Sequence, residues 1–201
     1  STIFPQTSIK AAQELSAQGV GFLDAAVGRT TMHAAAGTSM FMVGGSEEDL
    51  ARARPILDAM GDTIHHCGPV GSGVQTKLVN NYLTAAQAVL TSEALSLAQK
   101  LGLDPGKTIE IMSNTMASNA LVSFYFPQKA LAGDNDPGFA LMHARKDLGL
   151  AVQLGEQQGV AMTTGAAALG AYNHLFDEGY GQRDFSYLLM GACEAAGVEP
   201  P

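Results

Sequence analysis

Lys77, Asn80, Asn81 and Thr84 stand at offsets of zero, three, four and seven in a stretch that is otherwise mostly apolar or small. On a helix those offsets put the four polar side chains on one face. A lysine among apolar neighbours is costly to bury as a cation unless it is paired or hydrogen-bonded. The two asparagines beside it offer carbonyl acceptors and amide donors. A lysine with such neighbours is a candidate reactive group. The same four residues also fit a polar seam between packed helices, with the Lys77 stem along apolar surface and its ammonium in water. A metal centre is not expected. Cys67 and Cys193 lack a ligand spacing, and His65 and His66, as neighbours on a strand, point to opposite faces.

Three other groups have chemical interest. Asp24-Ala25-Ala26-Val27-Gly28-Arg29-Thr30, followed by Ala36-Gly37-Thr38, is a loop with a guanidinium, hydroxyls and glycines. Such donors suit an anion, although a loop arginine on its own reads as an exposed surface charge. Thr2 stands just before Pro5, where it reads as a helix-cap hydroxyl that could equally meet a polar ligand. Phe139 and Lys146 are seven apart, an offset that puts them on one face if the segment is helical. By spacing alone Phe139 is a core residue and Lys146 a solvated charge.

Gly-x-Gly-x-x-x-Lys-x-x-Asn-Asn, from Gly71 to Asn81, resembles the catalytic helix of the β-hydroxyacid dehydrogenases, the group that includes 3-hydroxyisobutyrate dehydrogenase. The resemblance implies that Lys77 is the catalytic acid/base and that Asn81, with Asn80, holds the substrate. It implies that the loop Gly28, Arg29 and Thr30 binds the anionic end of the substrate. It places Thr2 beside the nicotinamide, and Phe139 and Lys146 against the cofactor, which is NAD or NADP. The loop departs from the family's usual Asp-x-Pro-Val-Ser-Gly-Gly. Ala26 replaces the proline, Gly28 the serine, and Arg29-Thr30 the two glycines. The Val-Gly-Arg-Thr form is similar to the branch containing sulfolactaldehyde reductase. There Arg29 and Thr30 would supply donors for the third oxygen of a sulfonate. The implied reaction is hydride transfer between NAD(P) and a short 3-hydroxy acid or its aldehyde. The favoured substrate is 3-sulfolactaldehyde; alternatives are 3-hydroxyisobutyrate, tartronate semialdehyde and 4-hydroxybutyrate. The other reading kept open is a non-catalytic helical oligomerisation fragment.

The elements that must position these residues fall in two groups. Residues 5–18 predict a helix, 20–27 a strand, 28–37 a loop, 39–43 a strand, 46–60 a helix capped by Ser46, and 63–67 a strand. That alternation is an α/β pattern. No Gly-x-Gly-x-x-Gly fingerprint is present. The segment Ser1-Thr2-Ile3 resembles a stretch deep inside the family's nucleotide-binding domain. The expectation is therefore an α/β remainder of a Rossmann-type domain over residues 1–69, with its first half upstream and with weak dinucleotide binding by these residues alone. From 70 to 201 only helices follow, an all-α domain built around one long helix at about 73–101. With no Gly or Pro after Gly73 until Gly102, that helix has room for roughly 28 residues and about 42 Å. Further helices are expected at 105–116, 119–131 with a break near Pro127, 139–157, 162–178 and 184–196.

The chain has 201 residues, 46% of them hydrophobic, so a sizeable core is available. Its net charge of −8, with 11 scattered Lys and Arg, argues against nucleic acid and anionic membrane as partners. No apolar run is long enough for a membrane span. Cys67 and Cys193 read as buried free thiols of a reducing compartment, which makes the expected location cytoplasmic. A long apolar helix with few others to cover it predicts a homodimer or homotetramer.

Overall fold

The computed structural model describes residues 2–201; Ser1, quoted above with Thr2, lies outside them. The chain divides into two compact units. Of the described residues, the first holds those up to 82 and 150–161, the second 83–149 and 162–201.

The first unit opens with helix α1, Pro5–Ser16, with Pro5 at its first turn, where a missing N–H costs nothing. Strand β1, Asp24–Gly28, follows, then the short helix α2, Thr31–Ala35, and strand β2, Ser39–Gly44. Helix α3, Glu47–Asp58, connects β2 to strand β3, Gly61–Gly68. The sheet order is β1-β2-β3, with β1 antiparallel to β2 and β3 parallel to it. Phe41 and Val43 project from one face of β2 and pack on Leu50 and Leu57 of α3, with Leu23, Ala25 and Ile64 around them. Ser46 caps α3 by accepting the Asp49 N–H at 3.1 Å. The β2-α3-β3 crossover is the parallel unit that the α/β pattern requires.

Two expectations in this region change. The strand expected at 20–27 begins only at Asp24. Asp24 pairs with Gly44, the last residue of β2, so β2 has nothing left to pair with residues 20–23. The segment 28–37, expected as loop, contains α2, whose N-terminus Thr30 and His33 cap as a capping box.

Helix α4 runs over Ser72–Lys100, 29 residues. Its first turns belong to the sheet unit, where Val74 and Leu78 are buried against Ala151, with Tyr82, Leu150 and Leu154 packed on them. It is not buried on all sides: Val79, Leu83, Leu90 and Leu97 are exposed.

The second unit takes the rest of α4 and adds helix α5, Pro105–Ser113, with Asp104 as cap. A π-turn at Leu121–Tyr125, the single turn α6 at Phe126–Gln128 and a 3-10 turn at Ala130–Ala132 follow. Helices α7, Leu141–Gln157, and α8, Thr163–Asp177, and helix α9, Leu188–Ala196, complete it; the last turns of α7 belong to the sheet unit. Ser96 and Lys100 of α4 donate to the carbonyls of Ala192 and Ala196 at 3.0 and 2.8 Å, tying α4 to α9. The buried Tyr172 hydroxyl of α8 donates to the Ala85 carbonyl of α4 at 3.3 Å, and burial raises its pKa. Among the described residues no helix is long and apolar enough to cross a membrane. No group of three or more His, Cys, Asp and Glu among them could hold a metal ion. Cys193 is buried, but Cys67 is only half-buried, which corrects the expectation of two buried thiols.

Candidate active site

Asp24 sets the start of α4. Its side chain is buried, and Oδ1 accepts the Gly71 N–H at 2.6 Å while Oδ2 accepts the Val74 N–H at 2.8 Å. These N–H groups lie at the open end of the helix, where a carboxylate also meets the positive end of the helix dipole. The approach is close: a Cβ on Gly73 would lie 2.4 Å from the Met42 carbonyl oxygen. The first residue of β1 thus fixes the helix about one turn ahead of Lys77. The motif that contains Asp24 does not by itself reveal this role. The available signal was an acidic residue at the head of an apolar strand, which must find buried N–H partners.

Lys77 is half-buried on the next turn of α4, and Asn81 is buried while Asn80 is exposed. Asn80 Nδ2 donates to Asn81 Oδ1 at 3.2 Å. Thr84, half-buried, is the first of the four to fall in the second unit. The helix places Lys77 and Asn81 one turn apart on one face, with the core residue Leu78 beside them.

The far end of β1 carries the loop residues. Gly28 is buried. Arg29 is the one non-glycine among the described residues with a positive φ, 68°. The left-handed region costs a side-chain-bearing residue roughly 1–2 kcal/mol, so something must hold it. Its guanidinium provides that: Nη1 donates to the Thr38 carbonyl and to Asp62 Oδ1 at 2.7 Å, and Nη2 to Thr63 Oγ1 at 3.1 Å. Thr63 Oγ1 also donates to Asp62 Oδ1. The Thr63 hydroxyl, and the Arg29 guanidinium after it, hold the Asp62 carboxyl below its ordinary range. Arg29 is therefore no bare surface charge. Thr30, next to it, has its hydroxyl 2.9 Å from His33 Nδ1. Neither Asp62 nor His33 was singled out by sequence, because both partnerships form only when β3 and α2 are in place. Thr2 is half-buried; the cap position of α1 is held by Phe4, not by Thr2.

Phe139 and Lys146 lie in the second unit. Lys146 is on α7, its side chain 47% exposed and its Nζ 2.9 Å from Asp147 Oδ1. Phe139 is not on α7, which begins at Leu141, so the argument from helical spacing fails. The reason is Asp184, fully buried. Its Oδ2 accepts the N–H groups of Gly138 and Phe139 at 2.9 and 3.2 Å and the Tyr125 hydroxyl at 2.8 Å. Those bonds hold the backbone at 138–139 in a bend ahead of the helix. Burial first, then the Asp184 charge, raises the Tyr125 hydroxyl pKa. The Phe139 ring is packed edge-on against Phe185, with centroids 5.9 Å apart, and lies near His143. The cavity of about 500 Å³ lined by Val89, Ser96, Leu175, Leu188 and Ala192 contains none of the candidate residues.

Residues 71–191 match the model for NAD-binding of NADP-dependent 3-hydroxyisobutyrate dehydrogenase, and residues 1–68 match that for the NAD binding domain of 6-phosphogluconate dehydrogenase. The chain belongs to the β-hydroxyacid dehydrogenase family. It is 36% identical over 198 residues to 3-sulfolactaldehyde reductase of Escherichia coli (strain K12), an alignment covering 98% of this chain and 66% of that protein. It is 38% identical over 194 residues to NAD-dependent L-serine dehydrogenase of Pseudomonas aeruginosa, covering 94% of this chain and 65% of that one. The structure of 3-hydroxyisobutyrate dehydrogenase from Mycobacterium tuberculosis, solved with L-serine, superposes with a TM-score of 0.87 at 32% identity over 95% of this chain and 67% of that chain. The small sheet with its helices, followed by an all-helical region, is a β-hydroxyacid dehydrogenase fold.

Proposed function

We propose that the protein transfers a hydride between NAD or NADP and a short 3-hydroxy acid or its aldehyde, with 3-sulfolactaldehyde as the favoured substrate. The observation that carries this reading is Lys77 on the clamped first turns of α4, one turn from the buried Asn81. In reduction the Lys77 ammonium gives its proton to the carbonyl oxygen; in oxidation the neutral amine takes it from the hydroxyl. Asn81, steadied by Asn80, orients the substrate beside Lys77. Gly28, Arg29 and Thr30 hold the anionic end.

Taken one by one within their own units, the cofactor candidates have chemistry that suits parts of a dinucleotide. A half-exposed ammonium at Lys146 matches a phosphate, the Phe139 ring presents an apolar face, and Thr2 supplies a hydroxyl. When bound, the nicotinamide supplies or accepts the hydride. Sulfolactaldehyde is supported by the similarity to a reductase of that name, whose branch the Val-Gly-Arg-Thr sequence resembles, not by a donor count at Arg29. Self-association as a dimer or tetramer is supported by Leu83, Leu90 and Leu97, exposed at seven-residue spacing, the spacing by which helices interlock. A cytoplasmic location fits the free thiols.

The test is a coupled spectrophotometric assay of the enzyme carrying this sequence. It follows NADH or NADPH with sulfolactaldehyde, methylmalonate semialdehyde and tartronate semialdehyde, and NAD or NADP with 3-hydroxyisobutyrate and 4-hydroxybutyrate. Turnover of sulfolactaldehyde with the highest kcat/KM supports the substrate; turnover of none of the five overturns the reading.

A further inference from the structure

A guanidinium has five N–H donors in a planar fork. Arg29 spends two from Nη1, on Thr38 and Asp62, and one from Nη2, on Thr63. Among the described residues Nε–H and the other Nη2–H make no hydrogen bond; with Thr63, itself bonded to Asp62, on the Nη2–H that faces Nη1, these two lie side by side along one edge of the plane. Two parallel donors are the arrangement that receives two oxygens of one anion. The Arg29 side chain is 31% exposed, so the group is not sealed. The three acceptors come from two different strands and their approaches: Thr38 just ahead of β2, and Asp62 and Thr63 on β3. Asp62 receives both Arg29 and Thr63 on one oxygen. It therefore sets the plane in which the guanidinium lies.

We infer that Asp62 is a positioning residue for substrate binding: it holds Arg29 so that the Nε/Nη2 edge takes two oxygens of the substrate's anionic end. This rests on the functional reading above and sharpens it. A two-oxygen fork meets a carboxylate and a sulfonate alike, so Arg29 is a general anion anchor. Any preference for a sulfonate must come from donors other than this edge. The Thr30 hydroxyl is already engaged with His33.

The experiment compares KM and kcat for sulfolactaldehyde and for methylmalonate semialdehyde, a carboxylate, in wild type, Asp62→Ala, Asp62→Asn, Arg29→Asn and the Arg29→Asn/Asp62→Ala pair. Asn is the replacement at position 29 because it tolerates a positive φ, whereas Gly would relax the backbone and confound the result. In Asp62→Ala, KM for both substrates rises about tenfold, as loss of an orienting partner typically gives, and kcat stays within about twofold. Asp62→Asn keeps an acceptor oxygen and recovers part of the loss. Arg29→Asn raises KM at least as far, again for both substrates. In that background Asp62→Ala adds no more than about twofold, since the two residues act as one unit. A lower or unchanged KM in Asp62→Ala overturns the proposal, as does an equal loss in the Arg29→Asn background or a loss confined to the sulfonate. Failure of the functional reading has a different signature, wild-type protein that turns over neither aldehyde. In that case the anchoring is read by nitrogen NMR of the Arg29 side chain. Separate Nη signals in wild type that merge in Asp62→Ala support it; merged signals in wild type overturn it.

Discussion

Asp24 accepts two backbone N–H groups from the start of α4 in a buried setting. Replacing it with Ala leaves both donors buried without their acceptor, and each such loss costs about 1–3 kcal/mol. Asp24→Ala is therefore expected to lower stability by at least about 2 kcal/mol in urea unfolding, with Asp24→Asn less affected; an Ala variant as stable as wild type would remove the clamp from the account. The two thiols separate in the same way. Half-buried Cys67 is expected to react with a maleimide in the native state, while Cys193, whose thiol burial pushes up, reacts only on unfolding. Equal native labelling of both would contradict that. At this scale the sequence was legible where spacing is local. Lys77, Asn80 and Asn81 are a helix offset apart, and their shared face follows from the period. Arg29 and Asp62 are bonded across 33 positions, and no local pattern encodes that. The extra partners of Arg29 turned an expected free anion receptor into an anchored one.

Elements were legible in type more than in extent. The long helix expected at about 73–101 is observed at Ser72–Lys100, because an unbroken run without Gly or Pro leaves little else for it to do. Ser46 caps its helix as the local residues predict. Misses arose where a distant partner decides an end. Strand β1 begins only where β2 can pair with it, and Phe139 is excluded from α7 by the buried Asp184. On α4 the row Leu83, Leu90 and Leu97 is 57%, 53% and 60% exposed. If that row is where two copies meet, Leu90→Glu places charges in the contact and shifts the protein to monomer at micromolar concentration in sedimentation velocity. An unchanged distribution in the variant would place the association elsewhere.

For the whole molecule, the α/β-then-α order was readable from the point where strand patterns stop, and strands indeed end at Gly68. The packing units were not readable. The first turns of α4 and the last of α7 join the sheet unit, because Val74, Leu78 and Ala151 bury one another, a contact between segments far apart in sequence. The proposed chemistry turns on proton transfer by Lys77. Its most direct test is the turnover of Lys77→Ala against wild type with the best aldehyde substrate, beside a thermal unfolding curve that confirms the fold. A kcat lower by about a hundredfold or more is expected, with little change in melting temperature. A folded Lys77→Ala protein with kcat within about threefold of wild type would contradict it.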